Sequence, residues 1–312
     1  MANPLDGDSE QDGRNRSALT DSLVDSGVWV PSSVPGLVGY TEEFEQVVEG
    51  IDRLILQLCS ADNPSQRNFP PVLPRKVLAE TGYMGSFPEL CGCVTSFQGD
   101  ERAHIELMGK VDRGEDWSQS LAATEVALTP AVCYPLYPTL ADNVLADAQI
   151  YSLSSFVFRH EPSDDPARLQ SFRMRENVFV GRREDLLAWR RVWIERAQQV
   201  FAQLSIPVKV EIASDPFFGR GGKMLKANQR ADEGKFELMA AITSESSPTA
   251  IASFNYHQEK FSSVYNITMD DTSLAQTGCV GFGLERCALA LFAKFGTETD
   301  SWPKEVLATL GI

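Results

Sequence analysis

Two stretches carry residue types that could do chemistry. The first is SSFVFRHEPSDDPARLQSFRMRENVFV, residues 154–180. Its apolar runs predict two strands joined by the turn-rich loop PSDDPARL. Arg159 and Glu161 lie two apart on the first strand and so share a face. On the second strand the even positions are Phe172, Met174, Glu176, Val178 and Val180, an apolar face holding one carboxylate. An ionised carboxylate there is costly unless it is paired or bound to a cation. The second stretch is CVGFGLERCALALF, residues 279–292, a short strand running into a helix. Leu284, Cys287, Ala288, Leu291 and Phe292 form the buried stripe of that helix. Arg286 falls in its first turn, where a cation opposes the helix dipole. A cation placed against its local field suits an anionic ligand. On the local pattern alone the plainer readings stand equally: a hairpin whose arginines and glutamates pair, and an ion pair from Arg286 to Glu285 or a neighbour.

These groups need a frame. A helix is predicted from Thr41, a suitable N-cap followed by Glu42 and Glu43, with Phe44, Val47, Val48, Ile51, Leu54, Ile55 and Leu58 at helical spacing. Further helices are expected over 183–204 and 283–295, the last closed by Gly296. Between them short strand-like runs alternate with turns, and no internal repeat is visible. Hairpins outnumber regular βα alternation, which gives an α+β fold, an antiparallel sheet flanked by helices. Residues 1–36 are polar and read as mobile; residues 37–312 read as one catalytic domain.

Bulk properties exclude several classes. The chain has 312 residues, 43% of them hydrophobic, an ordinary globular composition. No apolar run reaches the roughly 18 residues of a membrane span. The first residues hold no signal-peptide core, so a cytoplasmic location is expected, with the six cysteines as thiols or metal ligands. Twenty-eight basic against 43 acidic residues leave a net charge of −15, which disfavours gripping a nucleic-acid backbone.

Together the segments resemble the catalytic core of class II aminoacyl-tRNA synthetases. FRHE (158–161) and SFRMRE (171–176) are similar to the two strands of motif 2, and GFGLER (281–286) to motif 3. ATEVALT (123–129) is similar to the seryl-tRNA synthetase pattern around a substrate-facing glutamate, here Glu125. FPPVLPRKVL (69–78) offers a weaker motif 1, with its proline and dimer contact. Each motif is degenerate, but four in order over roughly residues 40–310 are specific. The chain is identified as a member of the truncated homologues of atypical, zinc-dependent seryl-tRNA synthetases, the amino acid:[carrier protein] ligases.

The resemblance implies activation of a small amino acid, glycine favoured and alanine the other candidate, as an aminoacyl-adenylate. Transfer to the phosphopantetheine thiol of a carrier protein would follow. Attack of a carboxylate on the α-phosphate of ATP needs no general base; it needs positioning and charge neutralisation. By resemblance Arg159 holds the α-phosphate and Arg286 the γ-phosphate, with Arg168 and Leu169 contributing from the motif 2 loop. Phe172 would stack on adenine and Glu161 accept from its amino group. ATP would come with Mg²⁺, whose usual glutamate is replaced by Ala250; Ser253 remains and Glu237 is the nearby candidate. The resemblance implies zinc on Cys133, Glu176 and Cys279, with a fourth position open to the substrate's amino group. Cys91, Cys93 and Cys287 read as ordinary thiols.

An acidic carrier protein calls for a basic patch. Arg220, Lys223, Lys226 and Arg230, with Lys235 after them, supply one, on a segment read as a short helix between strands. A solvated surface helix is the plain alternative, and Arg182, Arg183, Arg190 and Arg191 are a rival patch. The expected partners are thus a small amino acid, ATP and the carrier, in a homodimer, without tRNA or membrane. Two other readings are a minimal seryl-type tRNA synthetase and a catalytically silent paralogue with a regulatory binding role.

Overall fold

The computed structural model describes residues 4–218, 222–231 and 233–312; for residues 4–11, 222, 225, 228, 230 and 231 it describes the backbone alone. The chain opens with α1 (Pro4–Asp25), β1 (Trp29–Pro31), β2 (Val38–Tyr40) and α2 (Glu42–Cys59). Then come β3 (Ser65–Arg67), β4 (Val72–Pro74), α3 (Arg75–Glu80), α4 (Tyr83–Ser86), β5 (Cys93–Phe97), α5 (Glu101–Asp112) and β6 (Leu121–Leu128). The motif 2 region is β7 (Val144–Leu145), β8 (Gln149–Phe158) and β9 (Ser171–Gly181), followed by α6 (Arg183–Gln203) and β10 (Val208–Ile212). Last are α7 (Gly222–Ala231), β11 (Lys235–Ala240), β12 (Thr249–Gln258), α8 (Lys260–Tyr265), β13 (Thr268–Met269), β14 (Gln276–Gly283), α9 (Leu284–Phe295) and α10 (Lys304–Leu310).

Among the described residues the main sheet has seven strands in the order β10-β11-β12-β14-β9-β8-β3. All its pairs are antiparallel except β3 with β8 at one edge. This is the α+β architecture expected from the hairpin-rich pattern. A smaller sheet, β4-β6-β5, carries the ATEVALT segment.

Strand alternation divides the work of β9. Its odd residues face α2, α6 and α9. Arg173 reaches Glu45 of α2 (Nη2–Oε1 3.1 Å) and Glu285 of α9 (2.7 Å). Arg175 pairs with Asp52 of α2 (Nη2–Oδ2 2.7 Å) and donates to Ser152. Asn177 meets Cys59 at 2.8 Å, and Phe179 packs on Trp189 of α6. Two arginines are thereby buried at small cost, because each has bidentate carboxylate partners. The core under this face is apolar: Phe44 stacks on Phe292 at 5.3 Å, and Trp193, Phe282 and Leu186 are buried.

Residues 1–36, read as polar and mobile, are tied to the domain in their second half. Leu23, Val28 and Trp29 are buried in the core. Gln170 bonds Gly36 and Pro35 of the segment, at 2.8 Å each, and Arg16 lies 3.4 Å from Asp165. The few apolar residues there, too sparse to show a periodicity, are enough to dock it against the motif 2 loop.

Replacing Arg175 with alanine should cost about 3 kcal/mol of unfolding free energy in urea titration, because Asp52 is left without its partner. Replacing both residues with apolar ones of similar size should cost less than R175A alone.

Candidate functional site

The opposite face of the sheet carries the site. Glu237 of β11, Ser253 of β12, Gly281 of β14 and Glu176 of β9 sit directly opposite one another in register. One row along lie Lys235, Asn255, Cys279 and Val178. Two rows on neighbouring strands thus place residues far apart in sequence on one surface. Gly281 leaves room for its neighbour: a Cβ there would lie 3.3 Å from the Glu176 side chain, a tight contact.

At one end of these rows three donors converge. Cys133, in the turn after β6, joins Glu176 and Cys279, and their ligand atoms all lie within 4.8 Å of one another. All three are buried. The Cys133 amide donates to Glu176 Oε2 at 3.0 Å. Asn255 Nδ2 donates to the Cys279 sulfur at 3.3 Å, and His257 Nε2 lies 3.6 Å from it. Tyr137 braces the other ring nitrogen of His257 at 3.3 Å. Burial, and the Cys279 charge after it, push the Glu176 carboxyl up to about 8. A hydrogen bond from Cys133 pulls Cys279 well below the usual thiol range, with help from His257 and Asn255. Two sulfurs and a carboxylate crowded without a cation are mutually unfavourable; a soft divalent metal removes the conflict, and polar groups already orient one sulfur ligand.

The other end is cationic. Arg286 donates to the carbonyls of Ala167 (2.7 Å) and Ala250 (3.0 Å). It feels Arg159 and Arg168 as like charges and Glu161 and Glu237 as opposite ones. These residues, from four segments of the chain, thus lie near enough to Arg286 to act on its charge. Ala250 supplies a carbonyl that aims Arg286. Arg159 donates to the carbonyl of Pro130 (3.1 Å) and lies over the Phe172 ring, 5.7 Å from its centroid. Arg168 is exposed, and Leu169 is buried at the loop's end. Ser253 accepts from Asn255 at 3.2 Å.

Some expected residues lie elsewhere. Glu125 is exposed on the small sheet and pairs with Arg75 at 3.4 Å. Lys223 is exposed and Lys226 half-buried on α7; Arg220 lies outside the described residues, as does the side chain of Arg230. Half of the rival patch is taken up by structure, while Arg183 and Arg191 stay exposed. Arg182 pairs with Asp270 and Asp271, Arg183 lies over Tyr256, and Arg190 is buried against Phe236 with a bond to the Glu233 carbonyl. Cys287 is core, as expected, and Cys91 and Cys93 are free thiols 3.9 Å apart. Sequence reading missed Asn255 and Asp215, and it counted Lys235 in the basic surface patch, whereas the lysine is only 12% exposed and pairs with Asp215 and Glu237. The alternation of FNYHQ in β12 could have put Asn255 and His257 on one face, but nothing local says that this face meets Cys279.

Comparison with known proteins decides the family. Amino acid–[acyl-carrier-protein] ligase 1 of Bradyrhizobium diazoefficiens is 40% identical over 279 residues, covering 89% of this chain and 85% of the relative. The chain belongs to the amino acid–[acyl-carrier-protein] ligase family. It is a ligase, as the resemblance implied. The type-2 serine–tRNA ligase of Methanopyrus kandleri is 24% identical over 260 residues, 77% of this chain and 49% of that one. The crystal structure of M. kandleri SerRS with A. aeolicus tRNASec superposes with a TM-score of 0.81 at 22% identity, over 94% of this chain and 60% of that one. That likeness shows the class II synthetase fold for this ligase. No family model matches the chain. No helix among the described residues is long and apolar enough to cross a membrane.

In the metal-free ligase, Glu176 keeps its proton to a higher pH than in the unfolded chain, about 8 against the ordinary 4.5. The folded state therefore binds the extra proton between those values, and stability should fall as pH rises through that window. E176Q should flatten the slope of urea-unfolding free energy between pH 5 and pH 8, a difference on the order of a few kcal/mol. An unchanged slope would show that the carboxylate ionises without cost.

Proposed function

We propose that this ligase activates a small amino acid with ATP and passes it to the phosphopantetheine thiol of an acidic carrier protein. The observation that carries the reading is the pairing, on one sheet face, of a buried Cys133–Glu176–Cys279 cluster with an arginine cluster around Arg159 and Arg286. One end suits an amine and the other a polyphosphate.

The residues divide the task. Arg286, aimed by the Ala167 and Ala250 carbonyls, would neutralise the terminal phosphates. Arg159 would hold the α-phosphate next to the attacking carboxylate, and Arg168, on its exposed loop, would close over the nucleotide. Phe172 offers its ring to adenine, with Glu161 and Leu169 beside it. Glu237 and Ser253 are the carboxylate and hydroxyl that Mg²⁺ accompanying ATP would meet. Cys133, Glu176 and Cys279 would hold zinc, which supplies a Lewis-acid position for the neutral amino group of the substrate. The protein positions two anions and stabilises charge; no side chain is needed as nucleophile.

Glycine is favoured over alanine; a one-methyl difference is worth about 1–3 kcal/mol in a fitted pocket. Glu125 is kept as an amino-acid contact only if the small sheet moves toward the site. On α7, Lys223 and Lys226 would meet the carrier, together with Arg220 and Arg230. The ligase would work as a homodimer, in the cytoplasm and without tRNA, with residues 37–312 as its catalytic domain. Charge reversal at Lys226 should weaken aminoacylation of the carrier while leaving adenylate formation within about twofold.

The deciding experiment is amino-acid-dependent ATP–pyrophosphate exchange across the twenty amino acids, with and without zinc chelation. Exchange with glycine or alanine that chelation abolishes, and that C279S lowers by about a hundredfold or more, is the expected result. No exchange with any amino acid on folded, zinc-loaded protein would favour a silent binding role, and charging of total tRNA would favour a synthetase.

A further inference from the structure

One half-buried polar chain runs from α7 to the strand that carries Glu237. Gln229, on α7, grips Asp215 twice: its side-chain oxygen accepts from the Asp215 amide at 2.7 Å, and its Nε2 donates to Asp215 Oδ2 at 2.8 Å. The other carboxylate oxygen of Asp215 accepts from Lys235 Nζ at 2.7 Å. Lys235 also lies 2.9 Å from Glu237 Oε1. The lysine side chain is only 12% exposed, so it is shared between two carboxylates with little help from water. Against burial, Asp215 and Glu237 hold Lys235 above its ordinary value. The turn between α7 and β11 is fixed as well. The Gly234 amide bonds the Gln229 carbonyl at 2.7 Å, and Arg190 of α6 holds the Glu233 carbonyl at 2.8 Å.

The arrangement has a definite electrostatic consequence. A carboxylate has two oxygens, and Gln229 occupies one of those on Asp215 while fixing its backbone. The second oxygen is thereby presented to Lys235. If Asp215 were free to turn, Lys235 would keep Glu237 as its remaining partner and neutralise it more fully. Glu237 stands in the row facing the arginine cluster, directly opposite Ser253. It lies about 14 Å from Glu176 at the metal-ligand end, three strand spacings away.

We propose that Gln229 is a positioning residue: by fixing Asp215 it keeps Lys235 shared, so that helix α7 governs how much negative charge Glu237 offers to a magnesium–nucleotide. This rests on the nucleotide reading of the arginine cluster. It makes the helix that bears Lys223 and Lys226 a control element for the site as well as a surface.

The test uses the full-length, zinc-loaded protein with Gln229→Ala and Gln229→Glu. The second variant is nearly isosteric; it keeps the acceptor for the Asp215 amide and replaces the donor with a repelling oxygen. Two quantities are read: the gain in ATP affinity on adding Mg²⁺, by calorimetry, and the separate KM values for ATP and amino acid in pyrophosphate exchange. Both variants should lose roughly tenfold of the Mg²⁺-dependent gain, with the ATP KM rising in step and the amino-acid KM within about twofold of the parent. Zinc content and thermal midpoint should stay as in the parent. A Mg²⁺ gain equal to the parent's in both variants, or ATP and amino-acid KM values rising together, would overturn the role of Gln229. A parent that binds no ATP would overturn this role and the nucleotide reading alike.

Discussion

The whole site depends on the two-residue alternation of one central strand. β9 turns Arg173, Arg175 and Asn177 to the helices and Glu176 to the opposite face, so the arginines that anchor the helices and the carboxylate beside the cysteines lie on different surfaces. A slip of one residue would turn two arginines toward the sulfurs and drive the Glu176 carboxylate into the helix layer. The ion pairs to Glu45, Asp52 and Glu285 are therefore more than stabilising contacts. They fix the register that leaves Glu176 where Cys133 and Cys279 can reach it.

That register has an energetic counterpart. Carboxylate and thiols held within 4.8 Å, all buried, are a stored conflict in the metal-free protein. Burial holds the Glu176 proton on, and donors from Asn255 and His257 draw the one from Cys279 off. The cluster is half prepared for a cation by its surroundings. Elsewhere on the sheet face the balance is reversed: Arg159 and Arg168 act on Arg286 as like charges, and backbone carbonyls of Pro130, Ala167 and Ala250 hold Arg159 and Arg286 in place. A buried group of metal-ligating side chains and a group of arginines thus share one face of the sheet.

The connection between α7 and β11 adds a third layer. Asp215, Lys235 and Glu237 are charged residues on a loop and one strand, and the Gln229 amide holds Asp215 at both its backbone and its carboxylate. Amides are suited to this, since they set geometry without adding charge.

What the sequence determined by itself was local and periodic. It placed Glu176 as a lone carboxylate on an apolar strand face, Arg286 in a helical turn that opposes a cation, and helices over 183–204 and 283–295, close to the α6 and α9 found. Period-2 and period-3.6 patterns report such facts directly. Motif resemblance supplied the joining of Cys133 to Cys279, which no spacing shows. Only the tertiary structure decided which charges of the opening hairpin pair: Arg173 and Arg175 take carboxylate partners from the helices, while Glu176 lies beside Cys133 and Cys279. Only the structure placed Glu125 in solvent against Arg75, docked Leu23, Val28 and Trp29 onto the core, and absorbed Arg182 and Arg190. It also revealed the Gln229–Asp215–Lys235 chain. The reason is the same in each case. A residue's face can be read from its neighbours in sequence, but its partner is set by which strands lie side by side, and β14 meets β9 across nearly a hundred residues of chain.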